Sequence, residues 1–274
     1  MGEKEDSRGE VLLSVRNLKV WFPIKKGVLA HTVGWVKAVD GVSFDLMRGE
    51  TLGVVGESGC GKSTTSRAIL LLNRPTGGEI LMDGRDVRRL KGEELLRYRR
   101  RVQVVFQDPQ ASLNPRHTIL EILTEGMVVH GLCTREERRE KAAGLLEAVG
   151  LDDTILDRYP HEFSGGQRQR ICIARAISLR PELLICDEAV SALDLTIRAQ
   201  VLDLLENLKK KLGLTLLFIT HDLGVVQHIA DRIIVMNKGR IVESGACSEV
   251  LVRPKEDYTK RLMAAVPAIG KPLA

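Results

Sequence analysis

The stretch Gly56-Glu57-Ser58-Gly59-Cys60-Gly61-Lys62-Ser63-Thr64 restricts the fold more than any other part of the chain. It follows Thr51–Val55, a short apolar run that ends at a glycine, as a buried parallel strand does. It leads into Ser63–Leu72, which reads as a helix stopped by Asn73, Pro75 and Gly77. Gly56 to Ser63 satisfies G-x-x-x-x-G-K-[ST] at every fixed position. In such a loop the glycines let successive backbone N–H groups curl inward around an anion. The following helix adds its positive N-terminal end. Lys62 brings a full charge to β- and γ-phosphates, and the Ser63 hydroxyl can ligate Mg²⁺.

A second glycine stretch, Phe163-Ser164-Gly165-Gly166-Gln167-Arg168-Gln169-Arg170, also runs into a helix but carries no lysine. Ser164 can cap that helix or donate to a γ-phosphate, and the glycines permit close backbone approach. Alone, S-G-G-Q is equally a plain capped helix start. Two unequal cradles suggest two half-sites, each needing a complement. If one chain cannot join its own halves, a nucleotide must lie between two chains.

Leu183-Leu184-Ile185-Cys186-Asp187-Glu188 is an apolar strand that ends in two acids. A buried strand of an α/β sheet releases such carboxylates at the ligand crevice. There Asp187 would orient water on Mg²⁺, and Glu188 would polarise an attacking water as general base.

The rest of the chain alternates strand and helix. Val11–Val15, Leu18–Phe22, Val36–Val39 and Val42–Leu46 read as N-terminal strands, with a polar turn from Lys25 to His31 and with Gly41 separating the last two. Glu79–Met82 and Val102–Phe106 read as strands, and Arg85–Arg101 is basic and mixed. From Pro109 to about Tyr159 the pattern is helical and interrupts the rhythm as an inserted lobe. Gln167–Ser178 is a helix, and Ile197, Val201, Leu204, Leu205, Leu208 and Leu212 recur at helical spacing. Leu214–Ile219 is a strand and Leu223–Ile229 a helix; Arg232–Met236 and Arg240–Glu243 flank the hairpin signal Asn237-Lys238-Gly239. The class is α/β with a mixed sheet.

Composition adds bounds. With 274 residues and 44% hydrophobic residues the chain can bury a sizeable core, built on Leu, Ile and Val because aromatics are only 4%. A net charge of +5 does not by itself license nucleic-acid binding. Cys60, Cys133, Cys172, Cys186 and Cys247 are odd in number and scattered, which fits a reducing compartment better than a disulfide or zinc framework. The charged start Gly2-Glu3-Lys4-Glu5-Asp6 does not read as a signal peptide or a myristoylation site, and no apolar run is long enough to span a bilayer.

Taken in order, these motifs resemble the nucleotide-binding subunit of an ATP-binding cassette (ABC) transporter. The resemblance covers about Val11 to Val266: Walker A at Gly56–Ser63, Q-loop Gln107, signature Ser164–Gln167, Walker B Leu183–Asp187, Glu188, D-loop Ser191-Ala192-Leu193-Asp194, and switch His221. It implies a P-loop NTPase (RecA-like) core with an N-terminal antiparallel β subdomain and an inserted α-helical subdomain. The ABC domain would span 11–250, with the helical part at about 109–178, and 251–274 would be a short C-terminal extension. The cofactors implied are ATP and Mg²⁺, the ion held by Ser63, Gln107 and Asp187.

Gln107 would also link the site to the helical lobe, His221 would hold the γ-phosphate, and Asp194 would support a dimer interface. Phe22 falls where the family places an aromatic under adenine, and Trp21 is the competing candidate. Two subunits would bind head to tail, the Walker A loop of one meeting the signature of the other across ATP.

Within the family, Ala111-Ser112-Leu113-Asn114-Pro115-Arg116, Tyr159-Pro160-His161-Glu162-Phe163 and Arg253–Leu262 resemble the ATPases of oligopeptide and dipeptide importers. That resemblance implies a second ABC ATPase subunit, identical or paralogous, two transmembrane permease subunits, and indirectly an extracytoplasmic solute-binding protein. The place implied is the cytoplasmic face of the membrane. Relatives also import nickel or other small solutes, so the solute stays open. Ala189 stands where the family usually has proline, and no cysteine-rich tail is present, so no iron–sulfur cluster is expected. Two further readings are a soluble ABC ATPase acting on ribosomes or nucleic acid through Arg85, Arg88, Arg89, Arg97, Arg99, Arg100 and Arg101, and a non-catalytic regulatory cassette. Lys62, Glu188 and His221 together argue against the last.

Overall fold

A long β-hairpin opens the chain. The computed structural model describes residues 9–26 and 31–264. In order these form β1 (Val11–Lys26), β2 (His31–Met47), β3 (Thr51–Val55), α1 (Lys62–Ile69), β4 (Gly77–Met82), β5 (Arg85–Asp86), α2 (Gly92–Arg101) and β6 (Val102–Val105). A run of helices follows: α3 (Pro109–Ser112), α4 (Ile119–Val129), α5 (Arg138–Ala148) and α6 (Gly165–Ile177). Then come β7 (Leu183–Asp187), α7 (Leu195–Leu212), β8 (Thr215–Ile219), α8 (Leu223–Ile229), the hairpin β9 (Arg232–Asn237) and β10 (Arg240–Ala246), α9 (Cys247–Val252) and α10 (Asp257–Ala264). Residues 27–30 of the expected turn, 265–274 of the expected extension and the charged start before Gly9 lie outside the described residues.

The chain divides into two compact units, one up to Leu90 and from Leu217 onward, the other Lys91–Leu216. In the first, an antiparallel sheet has the order β2-β1-β4-β5. The sequence suggests four short strands where the structure has the two long ones, β1 and β2. The register passes from Val15↔Phe44 to Leu18↔Val42 through a bulge. At this bulge Asn17 has φ +45° and its N–H donates to Ser43 Oγ at 2.8 Å, while Gly41 (φ +86°) lies at a second shift, from Leu18↔Val42 to Lys19↔Asp40. A bulge absorbs the extra residue and lets both strands continue.

The same unit holds β3, buried along all five residues, paired parallel with β9, which pairs antiparallel with β10. This is the mixed pairing the sequence suggests. Lys238 (φ +46°) and Gly239 (φ +79°) make the left-handed turn between β9 and β10. Helix α1 ends at Ile69, earlier than its composition suggests, because Leu71 adopts φ +57°.

In the second unit β6 pairs parallel with β7, from Val102↔Leu183 to Val105↔Cys186. Helices α4, α5 and α6 bury Leu123, Leu146 and Ile171 among others, and a Thr118–Glu121 capping box starts α4. Helix α2 has no counterpart in the sequence reading. Its first turn holds Glu93 and Glu94 and its last Arg99, Arg100 and Arg101, the arrangement that complements the helix dipole.

Candidate functional site

The glycine loop is shaped by backbone that surrounds it. A Cβ on Gly56 (φ +150°) would stand 2.3 Å from the Met236 carbonyl oxygen, and one on Gly61 (φ +109°) 2.3 Å from that of Ala38. Neither position tolerates a side chain, so two of the motif's glycines are required by packing as well as by the curl. The Gly239 N–H donates to the Cys60 carbonyl at 2.9 Å, so the β9–β10 turn also holds the loop. Lys62 is 4% exposed. Its ammonium donates to the carbonyls of Gly56 (2.7 Å) and Glu57 (2.9 Å) and lies 3.7 Å from Cys60 Sγ. The charge is thus held over the loop by its own backbone. Ser63 and Thr64 stand in the first turn of α1.

His221 belongs to this unit. The Thr220 N–H donates to the Val54 carbonyl at 3.1 Å, which brings the residue after β8 beside the end of β3, where the glycine loop begins. Asp222 caps α8, accepting from the N–H groups of Gly224 (2.9 Å) and Val225 (3.3 Å). His221 itself is exposed between strand and helix.

The two aromatic candidates differ. Lys37 Nζ lies 4.5 Å and Lys19 Nζ 5.8 Å from the Trp21 ring centre, so cations occupy that ring. Phe22 is 43% exposed.

In the second unit the parallel register of β6 and β7 makes Gln107 and the Asp187–Glu188 pair leave at the same strand ends. Asp187 is buried at 5% exposure. Glu188 has φ +53°, a left-handed conformation that costs a non-glycine residue about 1 kcal/mol or more. Its carbonyl accepts from the Ser191 N–H (3.1 Å) and Ser191 Oγ (2.9 Å), which fix the turn. Gln107 is exposed just before Asp108, the cap of α3.

Ser164 caps α6 in a reciprocal box: its Oγ accepts from the Gln167 N–H (3.3 Å), and Gln167 Oε1 accepts from the Ser164 N–H (3.1 Å). The two glycines do different work. A Cβ on Gly166 would meet Ile197 Cγ2 of α7 at 2.6 Å, whereas Gly165 has open space around it. The N-termini of α6 and α7 therefore lie together, and Asp194 caps α7 by accepting from the Ile197 N–H at 3.0 Å.

Residues 39–191 match the family described as ABC transporter. The chain belongs to the ABC transporter family. This ABC ATPase is 52% identical, over 96% of its length and 80% of the relative's, to the Oligopeptide transport ATP-binding protein AppF of Bacillus subtilis (strain 168). It is 47% identical, over 98% of its length and 80% of the relative's, to the Dipeptide transport ATP-binding protein DppF of Escherichia coli (strain K12). Among solved structures it is similar to the ATP-binding cassette MJ0796, a dimeric post-hydrolysis state bound to ADP and Pi. The TM-score is 0.75 at 30% identity, covering 86% of this chain and 98% of that one.

Four of the seven arginines that offered a nucleic-acid reading of this ABC chain have an acidic neighbour. Arg88 and Arg89 face Asp86, Arg97 faces Glu93, and Arg101 faces Glu182. Arg89 and Arg97 stay exposed beside those acids, so the pairing lowers the net charge of 85–101 without removing it. One contact to the loop has no local signature in the sequence. The Glu57 N–H donates to the hydroxyl of Tyr258, 201 residues away, at 3.1 Å.

Proposed function

We propose that this chain is the ATP-hydrolysing subunit of an ABC importer for oligopeptides or dipeptides. The observation that carries the energising part is the Gly56–Thr64 loop with the Lys62 ammonium held over it. The similarity to oligopeptide and dipeptide transport ATP-binding proteins along nearly the whole chain supports the solute class.

The proposed roles follow the chemistry of each residue. The backbone N–H groups of residues 56–64 bind phosphates, and Lys62 adds charge. Phe22 is the adenine platform, because Trp21 is already covered by two lysines. When bound, Mg²⁺ neutralises β- and γ-phosphate charge. The residues that would hold it are Ser63, Gln107 and Asp187, whose hydroxyl, amide and carboxylate each offer an oxygen donor of the kind this hard ion takes. Glu188 takes a proton from the attacking water, and His221 donates to the γ-phosphate. Ser164, Gly165, Gly166 and Gln167 serve the nucleotide on a neighbouring subunit, with Asp194 at that contact. The exposed, lysine-free cap of α6 supports this division of labour.

Domain extents of 11–250, with helices at about 109–178, and a C-terminal extension from 251 belong to the same proposal. The partners proposed are a second ABC ATPase subunit, two transmembrane permeases, and through them an extracytoplasmic solute-binding protein. No nucleic-acid partner is proposed. No helix among the described residues is long and apolar enough to cross a membrane. Attachment to the cytoplasmic face of the cell membrane through the permeases is the proposed location.

Co-purification from solubilised membranes, with mass spectrometry of the partners, tests the assembly. Two polytopic permeases and an ATP-binding subunit are expected. Recovery of ribosomal proteins or nucleic acid in their place rejects the importer reading. A γ-phosphate-bound complex in which a single copy encloses its own nucleotide rejects the shared site.

A further inference from the structure

The phosphate loop has a contact that its own chemistry does not require. The Glu57 N–H, on the rim of the loop, donates to Tyr258 Oη at 3.1 Å. Through its other face the same residue serves the lysine: the Glu57 carbonyl accepts from Lys62 Nζ at 2.9 Å and from the Cys60 N–H at 3.3 Å. Glu57 is exposed, so its N–H would otherwise bond to water and its φ and ψ would be freer. A continuous chain of hydrogen bonds runs from the Tyr258 hydroxyl through the Glu57 backbone to the Lys62 ammonium.

Tyr258 is itself anchored from two sides. Tyr258, Leu262 and Met263 of α10 pack on a buried cluster that includes Val55, Val235 and Leu251. Val55 is the residue immediately before Gly56, so the helix and the start of the loop share one apolar floor. Just before α10, the Glu243 carboxylate of β10 accepts the N–H groups of Lys255 (2.8 Å) and Glu256 (3.2 Å). Burial also holds the Tyr258 phenol above its ordinary titration range, so the hydroxyl is neutral.

We propose that Tyr258 is a positioning residue for the phosphate loop, and that α10, clamped by Glu243, latches the loop in the form that binds nucleotide. A loop that visits other conformations binds with an affinity reduced by the fraction that is competent. Tying Glu57 raises that fraction. By linkage the effect is reciprocal, so nucleotide in the loop must tighten the seat of α10. The proposal rests on the nucleotide reading of residues 56–64.

The test uses the full chain with Mg²⁺ and ADP as the probe. Tyr258→Phe keeps the ring on its apolar floor and removes the hydroxyl. Losing one neutral hydrogen bond of about 1 kcal/mol raises the Kd for ADP about fivefold. In steady state KM for ATP rises while kcat changes less. Glu243→Gln weakens the clamp and raises Kd in the same direction, and the double variant is less than additive. As an independent readout, ADP slows amide exchange in residues 257–264 of the wild type, and this protection is lost in Tyr258→Phe. A structural role alone leaves Kd unchanged and exchange in α10 indifferent to ADP, and that result overturns the proposal. Wild-type protein that fails to bind ADP overturns the reading of the loop and this proposal together; wild-type binding that ignores Tyr258→Phe overturns this proposal alone.

Discussion

The Lys62 ammonium lies 2.7 Å from the carbonyl oxygen of Gly56, six residues back in its own loop. The loop thus carries its cation ready-placed, and the cation in turn closes the loop. Lys62→Ala removes both effects. A lost charge-assisted hydrogen bond costs about 1.5–3 kcal/mol, so the Kd for ATP should rise roughly 10- to 150-fold. The carbonyls of Gly56 and Glu57 also lose their ammonium partner. Isothermal titration with ATP and Mg²⁺ reads the affinity; a Kd within twofold of wild type would show that the ammonium is not aimed at phosphate.

Glu188 occupies a left-handed turn at the end of a buried strand, with its carbonyl tied to Ser191. Glu188→Gln preserves shape and hydrogen bonding but cannot take up a proton. ATP hydrolysis should fall by about 10²- to 10⁴-fold, the usual worth of a positioned base. ATP binding should stay within a few-fold of wild type, and the ATP-bound dimer should persist on gel filtration. Normal turnover in this variant would remove Glu188 as the base.

How much of this was legible in the sequence depended on distance along the chain. The glycine loop, the acids after β7 and the cap of α6 each lie within a few residues of the strand or helix that positions them, so local pattern suffices. The N-terminal hairpin reads as four strands because the apolar runs are interrupted after Val15 and at Gly41; only pairing across the hairpin shows these interruptions to be bulges within two continuous strands. Helix α2 is hidden because it buries Tyr98 alone, and one buried side chain defines no period. The separate jobs of Gly165 and Gly166 depend on Ile197, and the Tyr258 contact spans 201 residues. Neither has a local signature.

Gly166 and Gly165 should respond differently to alanine. Ile197 is β-branched and stiff in a helix, so its Cγ2 cannot swing away from a Cβ at 2.6 Å. Overpacking of this kind costs about 1–3 kcal/mol, against about 1 kcal/mol gained in helix propensity. Gly166→Ala should lower Tm by a few degrees, and Ile197→Ala made alongside should restore much of it. Gly165→Ala has room, should not lower Tm, and should impair only ATP-driven association. Equal thermal shifts for the two variants would contradict this division.

Burial alone would raise the Glu243 carboxyl, but the N–H groups of Lys255 and Glu256 and the charge of Lys255 outweigh it and hold it below its ordinary value of 4.5. A carboxyl depressed in the folded state adds stability above its unfolded titration range and loses it as pH falls through the folded value. The gap in Tm between wild type and Glu243→Gln should therefore be full near neutrality and close as the solution is acidified below about pH 4.5. Calorimetry across that range measures it. A gap that widens on acidification would have the wrong sign.

The cysteines provide a last check on the loop. Burial pushes the Cys186 thiol up to about 12 and raises those of Cys172 and Cys247, so none of the three should react quickly at mildly alkaline pH. Cys133 is half-buried and should be alkylated first. Cys60 is buried in the glycine loop, 2.8 Å from where a Gly56 Cβ would stand, so its reaction requires the loop to open. Once it is alkylated there is no room for the added group, and nucleotide binding should be lost. ATP with Mg²⁺ should protect Cys60 and leave the rate at Cys133 unchanged, as mass spectrometry of timed iodoacetamide reactions will show. Full modification of Cys60 with ATPase activity intact would mean that the loop is looser than its packing implies.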